Sequence, residues 1–94
     1  MKIVYLVRYK PDAEPAAIEE FLREIPKVLA EGPFTSVVQG AGLKISKRPE
    51  LSADWGFIVD LAPEDFATWR DSAAHQRLGQ VLRPVSGGGM SFEL

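Results

Sequence analysis

The single histidine of this chain, His75, is the residue whose type and position most favour chemistry. Histidine gains or loses a proton near neutral pH, so it suits general acid or base catalysis. Ser72 is a good helix-capping residue, and Leu78 and Leu82 follow at helical spacing. His75 is therefore predicted in the first turn of a helix, beside its apolar stripe. There it is either an acid–base group facing a lumen or a structural histidine bonded to a neighbouring backbone group.

Tyrosine hydroxyls on the first predicted strand are the second source of chemistry. Tyr5 and Tyr9 alternate with Ile3 and Val7, so these four side chains share one face of that strand. A lumen-facing tyrosine donates a hydrogen bond within an apolar wall, which suits the carbonyl or phenol group of a ligand. We predict Tyr5 as the catalytic partner of His75, and Ile3, Val7 and Tyr9 as ligand contacts. The alternative is an aromatic packing pair at a subunit interface.

Three further aromatic side chains are predicted to contact the ligand. Trp55 and Phe57 share a face of a predicted strand, and Trp69 lies on the stripe of a short helix. Their flat rings suit stacking on a ligand, and core packing is the alternative. On neighbouring strands, Arg8 and Asp60 either form a buried pair or remain exposed, and the sequence leaves both possibilities open.

Several classes of site are excluded by composition and spacing. The chain has no cysteine and one histidine, so no thiolate chemistry is available and we predict no metal site. The glycine run at 87–89 lacks the lysine and hydroxyl residue of a nucleotide-binding loop. Paired carboxylates occur at helix starts, where the helix dipole explains them. We therefore predict a protein without a cofactor.

Charge and hydropathy limit the partners. The net charge is −2 with both signs interspersed, and the densest basic group is Lys44, Lys47 and Arg48, so nucleic-acid binding is not expected. No apolar run approaches the ~20 residues needed to cross a bilayer. The opening apolar run ends at Arg8 without a cleavage site, so it predicts a strand and not a signal peptide. A cytoplasmic location is the expectation.

The elements that must position these residues follow from periodicity and turn residues. One domain is expected over 1–94, because the chain is too short for two. The predicted order is β-α-β-β-α-α-β, with strands at 2–10, 34–45, 55–61 and 90–94. Pro26 is expected to kink or interrupt the first helix, and the glycines at 87–89 are expected to form a turn. This order predicts an α+β fold, a ferredoxin-like four-stranded antiparallel sheet with helices on one face.

Association follows from the apolar residues of the strands. The first and third strands are apolar on much of both faces, whereas one chain has helices for one face only. A large uncovered apolar face is rare in a soluble monomer, so we expect a second copy to pack sheet against sheet. The alternative is a monomer whose outer face is shielded by Tyr, Lys and Arg side chains.

Three segments of the sequence carry a family resemblance: Val7-Arg8-Tyr9-Lys10-Pro11, Val37-Val38-Gln39-Gly40, and residues 66–76 with the following Leu82-Arg83-Pro84. They resemble the stress-responsive dimeric α/β-barrel family, abbreviated Dabb, over nearly the whole chain. The resemblance implies two ferredoxin-like subunits whose sheets form one barrel. This agrees with the separate argument for a homodimer.

The resemblance also bears on chemistry. A plant polyketide cyclase of that family uses a strand-one histidine, a histidine in the turn before a helix and a tyrosine. The matching positions here hold Ile3, His75 and Trp69, so His75 is the only one of these groups present. The implied function is binding of a small, mostly apolar carbonyl or polyketide-like molecule in the lumen, with cofactor-free cyclase, lyase or isomerase chemistry. The alternatives are a non-catalytic stress-related binding or structural dimer and a cofactor-independent monooxygenase of the same superfold.

Overall fold

The structure of the protein is a computed structural model, and it describes residues 1–42, 48 and 52–94. Its order of elements is the predicted one. A short 3-10 turn, Pro63–Asp65, precedes the second helix. The strands and helices are β1 Lys2–Tyr9, α1 Pro15–Ala30, β2 Ser36–Ala41, β3 Trp55–Asp60, α2 Phe66–Arg70, α3 Ala73–Leu82 and β4 Ser86–Glu93.

The strands form one antiparallel sheet in the order β2-β3-β1-β4. β1 and β3 therefore occupy the middle, and β2 and β4 are the edges. The helices pack on one face, with α1 and α3 in contact with each other. This is the ferredoxin-like α+β fold that the sequence predicts.

The core lies between the helices and one face of the sheet. Ile3 and Val7 of β1 point into it, as the alternation of β1 predicts. Phe21 of α1 is fully buried and meets Trp55 edge to face, with ring centroids 5.4 Å apart. Aromatic pairs in this geometry add to the stabilisation that burial provides. The chain thus closes its core around one central phenylalanine.

The opposite face of the sheet is not covered by the helices, and we call it the open face. Its middle is apolar, although several of its side chains are well exposed, among them Met90 at 62% and Leu6 at 37%. The side chains that form its apolar part are Val4, Leu6, Val38, Ile58, Met90 and Phe92. The expectation of a sheet that is apolar on both faces, with helices on one, is confirmed.

At two places the structure differs from a local expectation. Pro26 does not interrupt helix α1, which continues to Ala30. Pro26 cannot donate to the carbonyl of Leu22, but Leu22 is exposed, so water can satisfy that carbonyl. The expected turn at residues 87–89 is instead part of β4, which begins at Ser86.

The glycines of β4 continue the ladder with β1, where Gly89 pairs with Val7. A Cβ at Gly87 would lie 3.0 Å from the Cα of Lys10, so a side chain would crowd the neighbouring backbone there. Glycine permits this close approach, and composition alone had suggested a flexible turn. Leu43 and Ile45, predicted in the second strand, lie outside the described residues, as do Lys44 and Lys47.

An ion pair joins the two long helices. Nη2 of Arg77 on α3 lies 3.2 Å from Oε1 of Glu24 on α1. The hydrogen bond from Arg77, helped by its charge and those of Lys27 and Arg23, holds the pKa of Glu24 below its usual range. The folded state therefore favours the ionised carboxylate.

This pair makes part of the stability depend on pH. Because the pKa of Glu24 is lowered by folding, its contribution is present above the ordinary glutamate range and is lost as pH falls through the folded-state value. We expect Glu24→Gln to lower the free energy of unfolding at neutral pH and to match the wild type in acid. Urea unfolding across pH measures this, with Glu20→Gln on the same helix as the control. Equal loss at every pH would contradict the assignment.

Candidate functional site

A cavity of about 370 Å³ lies at the edge of the helix-covered face, between the β1–β4 pair and helices α2 and α3. Ile3 and Tyr5 of β1 line it from the sheet. Their cross-strand partners on β4, Glu93 and Ser91, line it from the edge strand. None of the described helices covers β4, so the cavity opens at this edge. Its volume is in the range of small-molecule sites.

Helices α2 and α3 supply the other wall of the cavity, with Phe66, Trp69, Arg70 and His75. His75 is held by its own turn: its backbone N–H donates to Oγ of the capping Ser72 at 3.1 Å. The hydroxyl of Ser72 donates in turn to the carbonyl of Trp69 at 2.7 Å. These bonds join the end of α2 to the start of α3 and fix where His75 lies.

The imidazole of His75 packs on Trp69, with ring centroids 5.3 Å apart and planes at 85°. Within the part of the chain that the structure describes, neither ring nitrogen has a hydrogen-bond partner. The structural alternative, an imidazole bonded to a backbone group, is therefore not what the described residues show. Both nitrogens remain available to a ligand in the cavity.

Tyr5 is half-buried and lines the cavity from the sheet. Its ring stacks on Phe57, with centroids 4.8 Å apart and planes at 14°. This contact restricts the ring without using its hydroxyl. Tyr5 can therefore donate to an acceptor on a bound molecule.

Arg70 and Asp71 place charge beside the cavity. Nε of Arg70 lies 3.2 Å from Oδ1 of Asp71, and the guanidinium lies 5.9 Å from the ring centre of Phe66. The hydrogen bond and charge of Arg70 lower the pKa of Asp71, with a smaller contribution from His75. The cavity combines aromatic walls with a polar side made of His75, Arg70, Ser91 and Glu93.

The structure brings together four of the residues predicted for the site: Ile3, Tyr5, Trp69 and His75. The others lie outside this cavity. Val7, Trp55 and Phe57 are buried in the core. Tyr9 packs against Phe21, and its backbone N–H donates to Asp54 at 2.8 Å. Burial, aided by the charge of Asp54, raises the pKa of the Tyr9 hydroxyl.

One expectation about position is corrected. Tyr5 and His75 were expected to face a lumen between two sheets, but Tyr5 lies on the helix-covered face, so this cavity belongs to one chain. The possibility of a pair between Arg8 and Asp60, which the sequence left open, is decided by the strand register. The antiparallel register places Lys2 opposite Asp60, with Nζ 3.9 Å from Oδ2, and Arg8 lies at the other end of β1.

The sequence did not reveal Phe66, Arg70, Ser91 and Glu93 as cavity residues. Ser91 and Glu93 alternate along β4, which is a signal that they share a face. Their position beside Tyr5 and Ile3, however, depends on the β1–β4 register. Among the described residues no cluster of three or more potential ligands could hold a metal ion. In the same part of the chain, no helix has the length and apolar character to cross a bilayer.

The arrangement defines a ferredoxin-like α+β protein with a cavity between its helices and a sheet edge. Solved structures share this fold. A dimeric ferredoxin-like protein of unknown function from Thermobifida fusca YX is 18% identical over 99% of this chain and 89% of its own, with a TM-score of 0.78. A Dabb family protein from Mesorhizobium loti MAFF303099 is 15% identical over 97% of this chain and 90% of its own, with a TM-score of 0.73.

A hydroxynitrile lyase from Passiflora edulis also has this fold: it is 11% identical over 97% of this chain and 87% of its own, with a TM-score of 0.76. The sequence matches no family model and no curated protein. The structural neighbours confirm the fold that the Dabb resemblance implied. At these identities the likeness is one of fold.

Proposed function

We propose that this protein binds a small, mostly apolar molecule with a carbonyl group in the cavity beside His75, and that it performs cofactor-free acid–base chemistry on it. The observation that carries the proposal is the cavity itself. Its aromatic walls suit an apolar ring, and the imidazole of His75, whose nitrogens have no partner among the described residues, lies on the same wall as Trp69.

The chemistry needs two groups with separate roles. The hydroxyl of Tyr5 donates to the carbonyl oxygen of the ligand, and a nitrogen of His75 takes the proton from the adjacent carbon. Negative charge then develops on the oxygen, where the Tyr5 donor stabilises it. Return of a proton to the same carbon completes an exchange. In a ligand with a leaving group on the next carbon, the electron pair would instead form a carbon–carbon double bond as that group departs, which is a lyase reaction. The hydroxynitrile lyase of the same fold supports the compatibility of this scaffold with lyase chemistry.

We also propose that the chain works as a homodimer through its open face. The middle of that face is apolar and exposed, with Leu6, Met90 and Phe92 among its side chains, and a second copy would cover it. Structural neighbours described as dimeric support this assembly.

The binding proposal is tested with a matched pair of probes, acetophenone and ethylbenzene, which have similar shapes but differ in the carbonyl group. We expect both to shift the NMR signals of Trp69 and His75. Acetophenone should bind about 5- to 10-fold more tightly, because one hydrogen bond contributes about 1 kcal/mol.

A cavity-filling variant gives the control for this titration. Ser91 is exposed on the edge strand, so Ser91→Trp should preserve the fold and weaken both probes at least about tenfold. Leu22→Trp, which adds the same ring on the exposed side of α1, should bind as the wild type does. Equal binding of the probes to Ser91→Trp and Leu22→Trp would place the ligand elsewhere.

A further inference from the structure

The open face carries a projection beside a hollow. Leu6 stands in the middle of this face, and its cross-strand neighbour on β3 is Gly56. Gly56 pairs in turn with Gly40 on β2, so two adjacent strands lack side chains at the same level. The result is a hollow of about 330 Å³ next to Leu6, with Val4, Val38 and Ile58 among its lining residues.

The hollow is open above Gly40, whereas a Cβ built at Gly56 would lie 3.4 Å from Cδ2 of Leu6 in the same chain. A Cβ built at Gly40 meets no atom within 4 Å, so none of the described residues of the same chain fills this space. Leu6 keeps 37% of its surface exposed directly beside it. In a two-fold dimer the same surface of both copies is in contact, so the surface must fit a copy of itself. A face that carries both an apolar projection and an apolar hollow meets this requirement, because the projection of each copy can enter the hollow of the other.

Symmetry specifies how two such faces can meet. The open faces of the two copies overlap most when the two-fold axis lies at the middle of the sheet, between β1 and β3. If the axis runs along the strands, β1 of one copy lies over β3 of its partner. Each β1 residue then faces the partner's copy of its own cross-strand neighbour. Leu6 faces the partner's Gly56, and Lys2 faces the partner's Asp60.

A two-fold axis at the middle of the sheet could also run across the strands, and the charges of the face distinguish these two arrangements. An axis across the strands would place Lys2 over the partner's Arg8, and like charges in direct opposition are destabilising. The axis along the strands instead places Lys2 opposite a carboxylate. Lys2 and Asp60 are both partly exposed within one chain, with side-chain exposures of 45% and 34%. They therefore remain accessible to the second copy.

Resting on the proposed homodimer, we propose that Leu6 of each copy inserts into the partner's hollow, beside Gly56 and against the open space above Gly40, about a two-fold axis that runs along the strands between β1 and β3. Because aligned sheets cross at about 30°, contacts beside the axis are retained while those at the edges shift. The Leu6 contact lies beside the axis. The two-fold symmetry gives two copies of this contact in each dimer, so a substitution in the chain changes both of them.

The test fills the hollow and removes the projection separately. Gly40→Leu places a side chain where a Cβ meets nothing in its own chain, so the monomer should fold normally. We expect it to raise the dimer dissociation constant about 100-fold or more, and Leu6→Ala to raise it about 30-fold. Sedimentation equilibrium measures both. Gln39→Leu, one residue from Gly40 and on the other face of β2, is the control and should dimerise as the wild type does.

Mixing the two variants tests the contact between copies. In a mixed dimer, the leucine side chain added at position 40 meets the shortened side chain at position 6, and the second contact is native. We expect an equimolar mixture of Leu6→Ala and Gly40→Leu to form heterodimers with a dissociation constant within about tenfold of the wild type. Circular dichroism of each variant confirms that the chains are folded.

The outcomes separate this contact from the dimer itself. A wild-type chain that sediments as a monomer at about 100 μM would overturn the homodimer and the contact with it. A dimeric wild type together with an equally dimeric Gly40→Leu would overturn the contact and leave the homodimer standing. Dissociation of Gly40→Leu without recovery in the mixture would also overturn the pairing of Leu6 with this hollow.

Discussion

Phe21→Ala is expected to lower the free energy of unfolding by about 3–5 kcal/mol. Phe21 is fully buried and makes edge-to-face contacts with Trp55 and Tyr9, at centroid distances of 5.4 and 6.2 Å. Its removal would leave a cavity between α1 and the sheet, because the rings around it are held by their own strands. A domain of this length has a total stability of roughly 5–14 kcal/mol, so this loss is a large fraction of the total.

Urea unfolding followed by circular dichroism measures this loss. Leu22→Ala is the matched control, since Leu22 is the next residue of α1 and is 44% exposed. Its effect should be below about 1 kcal/mol. Similar losses for the two variants would show that the core is not organised around Phe21.

His75→Ala is expected to reduce proton exchange at the methyl group of acetophenone about 100-fold or more, while the affinity for acetophenone changes little. In D2O the wild type should replace these protons with deuterium, because His75 removes one and returns one from solvent. Proton NMR follows the loss of the methyl signal. Gln76→Ala, the adjacent and exposed position on α3, is the control and should exchange at the wild-type rate.

Chemical rescue separates catalysis from structure at this position. Added imidazole should restore part of the exchange in His75→Ala, because the vacated space lies at the cavity wall. A purely structural histidine would show no such rescue. If the wild type binds acetophenone but does not exchange its protons, the acid–base chemistry is contradicted and the non-catalytic binding protein becomes the better explanation.

Much of the fold can be predicted from local patterns, because each depends on neighbours in the sequence. The alternation of β1 predicts that Ile3 and Val7 share a face, and the spacing around His75 predicts its helical turn. The capping role of Ser72 is equally local, and the structure shows its bond to His75. Where local preference was a poor guide, at Pro26 and in the glycines of β4, the surrounding structure decided the conformation.

Less of the candidate site could be predicted from the sequence, because the site depends on contacts between segments that are distant along the chain. Alternation separates the faces of a strand but does not say which face the helices will cover. This is why Tyr5 was expected in a lumen between two sheets and lies instead beneath the helices of its own chain. The register between β1 and β4 places Glu93 opposite Ile3 and Ser91 opposite Tyr5, and it is set only when the two strands pair.

By itself, the sequence determined the order of elements, the first-turn position of His75 and a sheet that is apolar on both sides. Tertiary structure decided which face is covered, the strand register and therefore which side chains surround the cavity. The physical reason is range: turns, caps and periodicity arise from residues close in sequence, whereas burial and strand pairing are settled when the whole sheet packs.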